Sequence, residues 1–406
     1  MKHVMAFDVS KGNSVVVLYD AVGNLLFEDK LTHSQSGFKA LNEQIEAVIE
    51  EYGQAPEMVF EATGVYSSAL EKFLQENDYT YYRLNPLEAH FQTMTLRRNK
   101  TDKSDAHELA KSHLKAHRYQ TYQQDEYYEK MRVKSRRYGD LDKEKVRYKN
   151  RLHSLIHLSF PELDDVFETK STLYFKVIQI FSHPNNVLNH SKTIIKNRIK
   201  KCTRKNYSLT QLEERTLQLI KAAQNSYPAI DEDDYRCDLI KLYARKILEF
   251  AEEQDWLIKE MVALSQGRKE YRVLLSFPGI QETTACRLIG ELGDLNRFEN
   301  HKQLNAYAGI DIVRYQSGNI QHKERINKRG NSRLRSILFF MLGSMLSAKD
   351  KQINHFTDYY FKLKKQPYNK HHKVAIVACM NKFLKVAFHL IQHDILYDYE
   401  SATLNS

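Results

Sequence analysis

Four acidic residues, Asp8, Glu61, Asp102 and Asp105, have the chemistry and the settings to hold two divalent cations against a phosphodiester. Each falls where the local pattern ends a strand or opens a helix. Asp8 closes the run His3-Val-Met-Ala-Phe-Asp-Val9, whose alternation predicts a short strand with Val4, Ala6 and Asp8 on one face. Glu61 ends a second apolar run, Met58-Val-Phe-Glu61, and Ala62-Thr-Gly-Val65 then leads into a helix carrying Leu70, Phe73 and Leu74. Asp102 and Asp105 open a third element, a helix whose buried stripe is Ala106, Leu109, Ala110 and Leu114. Spaced three apart, they share a helix face. Two cations in such a set clamp the attacking and leaving oxygens of the phosphodiester. Mg²⁺ suits it, preferring hard oxygen ligands and keeping waters, with Mn²⁺ as a substitute. The plainer reading is of solvated surface carboxylates with Lys100 and Lys103 as neighbours.

A second reactive element lies near the other end of the chain. Ser317, in Val313-Arg-Tyr-Gln-Ser-Gly-Asn319, is flanked by the turn residue Gly318 and surrounded in sequence by Arg314, Lys323, Arg325, Lys328, Arg329 and Arg333. A serine exposed on such a turn could act as a nucleophile, with the guanidiniums stabilising a pentacovalent phosphate. The alternative is an ordinary turn serine. Ser332 competes as a local candidate but falls on the helix that starts after Gly330.

The charge agrees with a polyanionic partner. The 406 residues carry a formal net charge of +10, and the cations are clustered. Residues 130–151 hold ten Lys or Arg against three acids, 192–205 hold seven against none, and 314–335 hold seven against Glu324. One such run is often a solvated helix face; three in one chain favour nucleic acid. The four cysteines are far apart without a CxxC pair, which argues against a zinc knuckle or a disulfide framework and for a reducing cytosol. The start of the chain has no long apolar segment, and the longest apolar stretch, 337–348, is about half a membrane span. A soluble cytoplasmic protein is expected, with no membrane partner.

The elements that must position these residues fall into three regions. Residues 1–120 read as α/β, with strands near 3–9, 13–20, 25–30, 57–61 and 79–84. Phe38, Leu41, Ile45, Val48 and Ile49 mark a helix, and Asn85-Pro86 a good start for another. A β-hairpin followed by β-α units is the order of an RNase H-like fold. In residues 121–268 strand signals vanish. Leu141, Val146, Leu152, Ile156, Leu239, Leu242, Ile247, Phe250 and Ile258 predict long helices or a coiled coil, either a dimerising or RNA-gripping arm or a plain spacer. Residues 269–406 read as mainly α. Phe277-Pro-Gly-Ile280 between two helices resembles a helix-hairpin-helix, and Val377, Met380, Phe383, Leu384, Ala387 and Ile391 mark a final core helix.

On these residues the chain resembles the DEDD transposases of bacterial insertion sequences, the bridge-RNA-guided recombinases. Asp8-Val-Ser-Lys11, Glu61-Ala-Thr-Gly64 and Lys100-Thr-Asp-Lys-Ser-Asp-Ala106 resemble the family's RuvC-like N-terminal domain. Phe277-Pro-Gly-Ile280, Leu304-Asn-Ala-Tyr-Ala-Gly309, Ser317-Gly318, Lys328-Arg-Gly-Asn331 and Leu334-Arg335 resemble its C-terminal transposase domain. The resemblance implies that the four carboxylates bind Mg²⁺ and that Ser317 attacks DNA to form a transient 5′-phosphoserine. It implies a composite site, the carboxylates of one protomer meeting the serine of another in a dimer or tetramer. A structured noncoding guide RNA is implied as the partner that pairs with donor and target DNA. Residues 160–250 show no motif that aligns with the family. Close relatives include site-specific DNA invertases. Two other readings stay open: a Holliday-junction resolvase or RNase H-like hydrolase using the carboxylates alone, and a noncatalytic nucleic-acid scaffold.

Overall fold

The computed structural model describes residues 3–84, 102–116, 118, 120–203, 208–313, 316–317, 320–321, 325–348 and 353–400, with backbone alone at 102–104, 313, 316–317 and 320–321. The chain forms two compact units, Met1–Gln123 and Gln124–Ser406.

The first unit is built on a five-stranded mixed sheet of β1 (Val4–Ser10), β2 (Asn13–Tyr19), β3 (Leu25–Thr32), β4 (Glu57–Glu61) and β5 (Tyr81–Leu84), in the order β3-β2-β1-β4-β5. β1, β2 and β3 form an antiparallel meander, and β4 and β5 add in parallel beside β1. This order is compatible with the RNase H-like arrangement expected from the sequence. Alternation along the strands sorts side chains to two faces. Met5, Phe7, Val9, Met58 and Phe60 pack under the helices α1 (Gln35–Tyr52) and α2 (Ser68–Glu76) through Leu41, Ile45, Leu70 and Leu74. Val4, Ala6, Val17, Tyr19 and Val59 pack under α3 (Asp102–Lys115) through Ala106, Leu109 and Ala110. Ser34 caps α1 by accepting from the Gly37 N–H, and Gly53 ends it in the left-handed region at φ 75°. The helix start anticipated at Asn85-Pro86 lies outside the described residues.

The described residues of the second unit are helical apart from two short ribbons and the segments that connect the elements. Its frame is a pair of long helices, α4 (Glu126–Ser159) and α10 (Tyr235–Ser265). They run antiparallel: Tyr127 meets Ser265 at one end, and Arg137 meets Glu253 further along. Leu141, Leu152 and Ile156 are buried on α4 as the pattern predicts, whereas Val146 is exposed. Between these helices the chain folds α5 (Leu163–Val166), α6 (Thr172–Ile180), α7 (Pro184–Leu188), α8 (Lys192–Cys202) and α9 (Leu209–Asn225) around a separate core that includes Phe160, Phe167, Phe181, Ile195 and Leu219.

The remaining helices are α11 (Lys269–Leu275), α12 (Glu282–Leu292), α13 (His301–Ala308), α14 (Ser332–Ser347), α15 (His355–Lys364) and α16 (His372–His393). Their core takes in Phe277, Leu288, Leu338, Phe356 and Phe383, and also Tyr127, Met131 and Met261 from the long pair. The long pair thus joins two cores within one compact unit, that of α5–α9 and that of the later helices. Helix α16 is long and apolar enough to cross a membrane, but half of its apolar window is buried in this core. All four cysteines are free and buried.

Candidate active site

The register of β1 and β4 sets the first part of the site. These strands pair in parallel with Phe7 opposite Phe60, so the next residues, Asp8 and Glu61, lie side by side at the strand ends. Strand alternation puts both on the α3 face, since Ala6 and Val59, two residues back, pack against that helix. Carboxyl ends of parallel strands are where open α/β sheets bind their ligands. A turn of 3₁₀ helix, Gly64–Ser67, follows Glu61, with Gly64 at φ 63°, and redirects the chain into α2. Asp8, Glu61 and Asp105 are all half-buried. Asp102 is the first residue of α3, and Asp105 directly precedes Ala106, which is fully buried against the sheet. The Asp102 side chain lies outside the described residues.

Polar contacts fix α3 at two points. His107 bonds through Nδ1 to the Tyr19 hydroxyl at 2.7 Å and through Nε2 to Glu28 at 3.2 Å. Further along, buried His113 bonds through Nε2 to Glu57 at 3.0 Å, and Arg118 meets its Nδ1 at 3.0 Å. Burial holds the His113 imidazole below its ordinary pKa; Arg118 acts in the same direction and Glu57 opposes. Together with the Ala106, Leu109 and Ala110 contacts, these bonds leave α3 little freedom to rotate, which fixes where its first turn points. Strand register brings the Asp8 and Glu61 carboxylates to this face, a pair of hard oxygen donors. That chemistry fits a hard divalent cation such as Mg²⁺ better than a soft one.

The Ser317 region is a β-ribbon. Strand β6 (Ile312–Val313) pairs with β9 (Arg325–Ile326), and β7 (Gln316–Ser317) pairs with β8 (Ile320–Gln321), all antiparallel. Ser317 is thus the last residue of β7. Its side chain lies outside the described residues, as do Lys100, Arg314 and Lys323 entirely and the side chain of Lys103. At the base of the ribbon Asn327 donates from its backbone to the Asp311 carbonyl at 2.9 Å and from its side chain to the Asp311 carboxylate at 3.2 Å. Arg325, Lys328 and Arg329 follow, all exposed. Arg333 is placed differently. Its guanidinium donates to the Asp140 carboxylate at 3.0 Å and to the Arg136 carbonyl at 3.2 Å, which ties α14 to α4. Burial raises the Asp140 carboxyl, but Arg333 and then Lys143 outweigh it and hold the group below its ordinary range.

Sequence reasoning missed the residues that support this ribbon. Arg335 donates to the carbonyls of Ala308, Gly330 and Lys328 at 2.8, 3.0 and 3.2 Å. It clamps a close crossing in which a Cβ on Gly330 would overlap the Tyr307 carbonyl and the Gly309 nitrogen. Asn331 caps α14 by accepting from the N–H groups of Arg333 and Leu334, and its amide donates to Glu291 at 2.8 Å. Glu291 itself is buried on α12. The Lys-Arg-Gly-Asn motif is therefore half structural. Gly330 and Asn331 carry a visible signal, a glycine and a cap before an apolar run, whereas nothing in Gly290-Glu-Leu292 marks Glu291 as their partner.

Two family models match the chain. A transposase family model, that of the IS110 DEDD transposases, matches residues 5–161, and the transposase model of the IS116/IS110/IS902 family matches residues 271–360. Together they span more than half of the chain, and the chain belongs to the DEDD transposase family of insertion sequences. Among curated relatives, the transposase for insertion sequence element IS1111A of Coxiella burnetii is 31% identical over 80 residues, 20% of this chain and 22% of the relative. The pilin gene-inverting protein of Moraxella bovis is 27% identical over 192 residues, 47% of this chain and 57% of the relative. That of Moraxella lacunata matches to the same extent. The matches cover about a fifth of the first relative and rather more than half of the Moraxella proteins.

Proposed function

We propose that this protein is a DNA recombinase, a transposase that cuts and rejoins DNA through a covalent serine intermediate on the ends of an insertion sequence. The observation that carries the reading is the pairing of Asp8 and Glu61 on adjacent parallel strands, on the face covered by a helix that opens with Asp102 and Asp105. In this reading Asp8, Glu61, Asp102 and Asp105 hold Mg²⁺, in keeping with a RuvC-like assignment of the first unit. The metal, when bound, supplies Lewis-acid stabilisation of charge on the phosphodiester oxygens.

The covalent step belongs to Ser317. Its Oγ attacks phosphorus, the P–O3′ bond breaks, and the electron pair leaves with O3′, which gains the proton the hydroxyl loses. The strand is held as a 5′-phosphoserine ester. A 3′-hydroxyl from another strand then attacks that ester, restoring both the diester and the serine without ATP. Arg325, Lys328 and Arg329, exposed beside the ribbon, bind DNA backbone. The Pro278-Gly279 turn between α11 and α12, with Gly279 at φ 83°, offers amides to a phosphate in the manner of a helix-hairpin-helix. A structured noncoding RNA is the partner that reads DNA sequence, and the active form is a homo-oligomer acting on DNA in the cytoplasm.

A second reading, site-specific inversion, is favoured by the likeness to the pilin gene-inverting proteins. A plasmid assay in which the element lies between paired target sites tests both. Transposition excises or moves the element, inversion reverses it, and Asp8→Asn or Glu61→Gln abolishes either product. Wild-type levels of product from both variants would contradict the reading.

A further inference from the structure

Far from the carboxylates in sequence, three ligand-type side chains converge at the end of α4. His153 and His157, one helical turn apart, bring their Nε2 atoms to 3.1 Å of each other, and Asp164 on α5 brings Oδ2 to 3.7 Å from His157 Nε2. The three ligand atoms lie within 4.8 Å of one another. A tetrahedral Zn²⁺ with ligands at about 2.0–2.1 Å has ligand–ligand edges of roughly 3.3 Å, close to the spacing seen here. Two further features set this trio apart from a chance surface cluster. The Asp164 carboxylate is oriented by the hydroxyl of Tyr174, which donates to its other oxygen, Oδ1, at 2.5 Å. Tyr174 is itself buried at 4% exposure, so that donor is part of the core. Such a carboxylate-orienting bond is the usual support behind a metal ligand. The histidines are exposed while Asp164 is half-buried, so an ion can enter from solvent and keep a fourth, water-filled position.

We propose that His153, His157 and Asp164 form a binding site for a borderline divalent transition ion, Zn²⁺ first, distinct from the carboxylate site of the first unit. Imidazole donors disfavour Mg²⁺, so the two sites select different metals. The chain turns at Pro161 between these ligands, and a bound ion staples the end of α4 to α5, stiffening the entry to the core of α5–α9.

The test is Zn²⁺ titration of the chelator-stripped full-length protein in competition with a chromophoric chelator, with Co²⁺ visible absorption as a second readout. Wild type should bind one ion per chain at this site and show tetrahedral Co²⁺ absorption in the presence of excess Mg²⁺. His153→Ala and His157→Ala should each weaken Zn²⁺ binding at least ~10-fold while unfolding at the wild-type temperature without metal. Tyr174→Phe, which keeps the ring, should weaken it by about 10-fold. Asp8→Asn should leave it unchanged. Wild-type protein that binds no Zn²⁺, or histidine variants that bind it as wild type does, would overturn the proposal.

Discussion

Asp8 and Glu61 owe their place to strand alternation, and that is why they could be read before the fold was known. A carboxylate in register with Val4 and Ala6 must lie on the α3 face, as must one in register with Val59. Asp8→Asn and Glu61→Gln keep shape and register while removing charge. Strand cleavage should fall roughly 100-fold or more with the melting temperature nearly unchanged; equal loss of cleavage and of folded protein would assign these groups to stability instead. Arg333 and Arg335 were not legible in this way, because a cation's partner depends on tertiary contacts the local sequence does not contain. Arg333 is bound to Asp140, and Arg335 to three carbonyls. Arg335→Ala leaves those carbonyls short of a charged donor and should cost about 2 kcal/mol or more in denaturant unfolding. A change below the error of that measurement would mean the crossing at Gly330 holds without its clamp.

At the scale of elements, periodicity marked the strands and long helices well, but it did not show what the basic helix α4 was for. Several of its cations pair within the unit: Lys134 meets Glu260 and Arg137 meets Glu253 on α10, Arg136 meets Glu291 on α12, and Lys130 and Lys143 meet Glu126 and Asp140 on α4 itself. Much of the 130–151 run is thus pairing chemistry within one unit, a role that a charge count cannot separate from nucleic-acid binding. Exposed pairs of this kind contribute little. The buried link is Gln254, whose amide donates to Asp142 at 2.7 Å and accepts from Lys145 at 2.7 Å. Gln254→Leu should destabilise the second unit by about 1–3 kcal/mol, read by hydrogen exchange along both helices. The anchoring of α3 has a pH signature. His113 has a folded pKa below its ordinary 6.5. The unfolded chain therefore takes up the proton first, and the stability this group contributes, full above 6.5, falls as pH drops below it. His113→Gln should flatten that dependence in the exchange of sheet amides. An unaltered profile would assign the titration elsewhere, for instance to His33, which burial also holds low.

At the scale of the molecule, the two ends of the chain were legible because each carries a compact motif set, and the two family matches fall on those ends. The middle was not: α5–α9 form a core whose apolar residues are spread over short helices, so no single window shows a long period. Its most basic helix, α8, leaves Lys192, Lys200 and Lys201 exposed and buries Ile195 and Ile199. If DNA binds as proposed, Arg325 and Lys328, also exposed, are among the cations that meet its backbone. Alanine at Arg325 and Lys328 should lower the salt slope of DNA binding by about 1 each, and an unchanged slope would remove them from the interface. If the active form combines the carboxylates of one protomer with Ser317 of another, mixing Asp8→Asn with Ser317→Ala protein restores part of the activity each lacks alone. No recovery in the mixture would put both groups to work within one chain.

The central claim is tested most directly by incubating purified protein, with any RNA that co-purifies, and labelled element-end DNA with Mg²⁺ and resolving the products on a denaturing gel. The account predicts a protein–DNA adduct that is lost in Ser317→Ala and in Asp8→Asn. Cleavage without an adduct, equal in wild type and Ser317→Ala, would contradict it and leave a metal-dependent hydrolase.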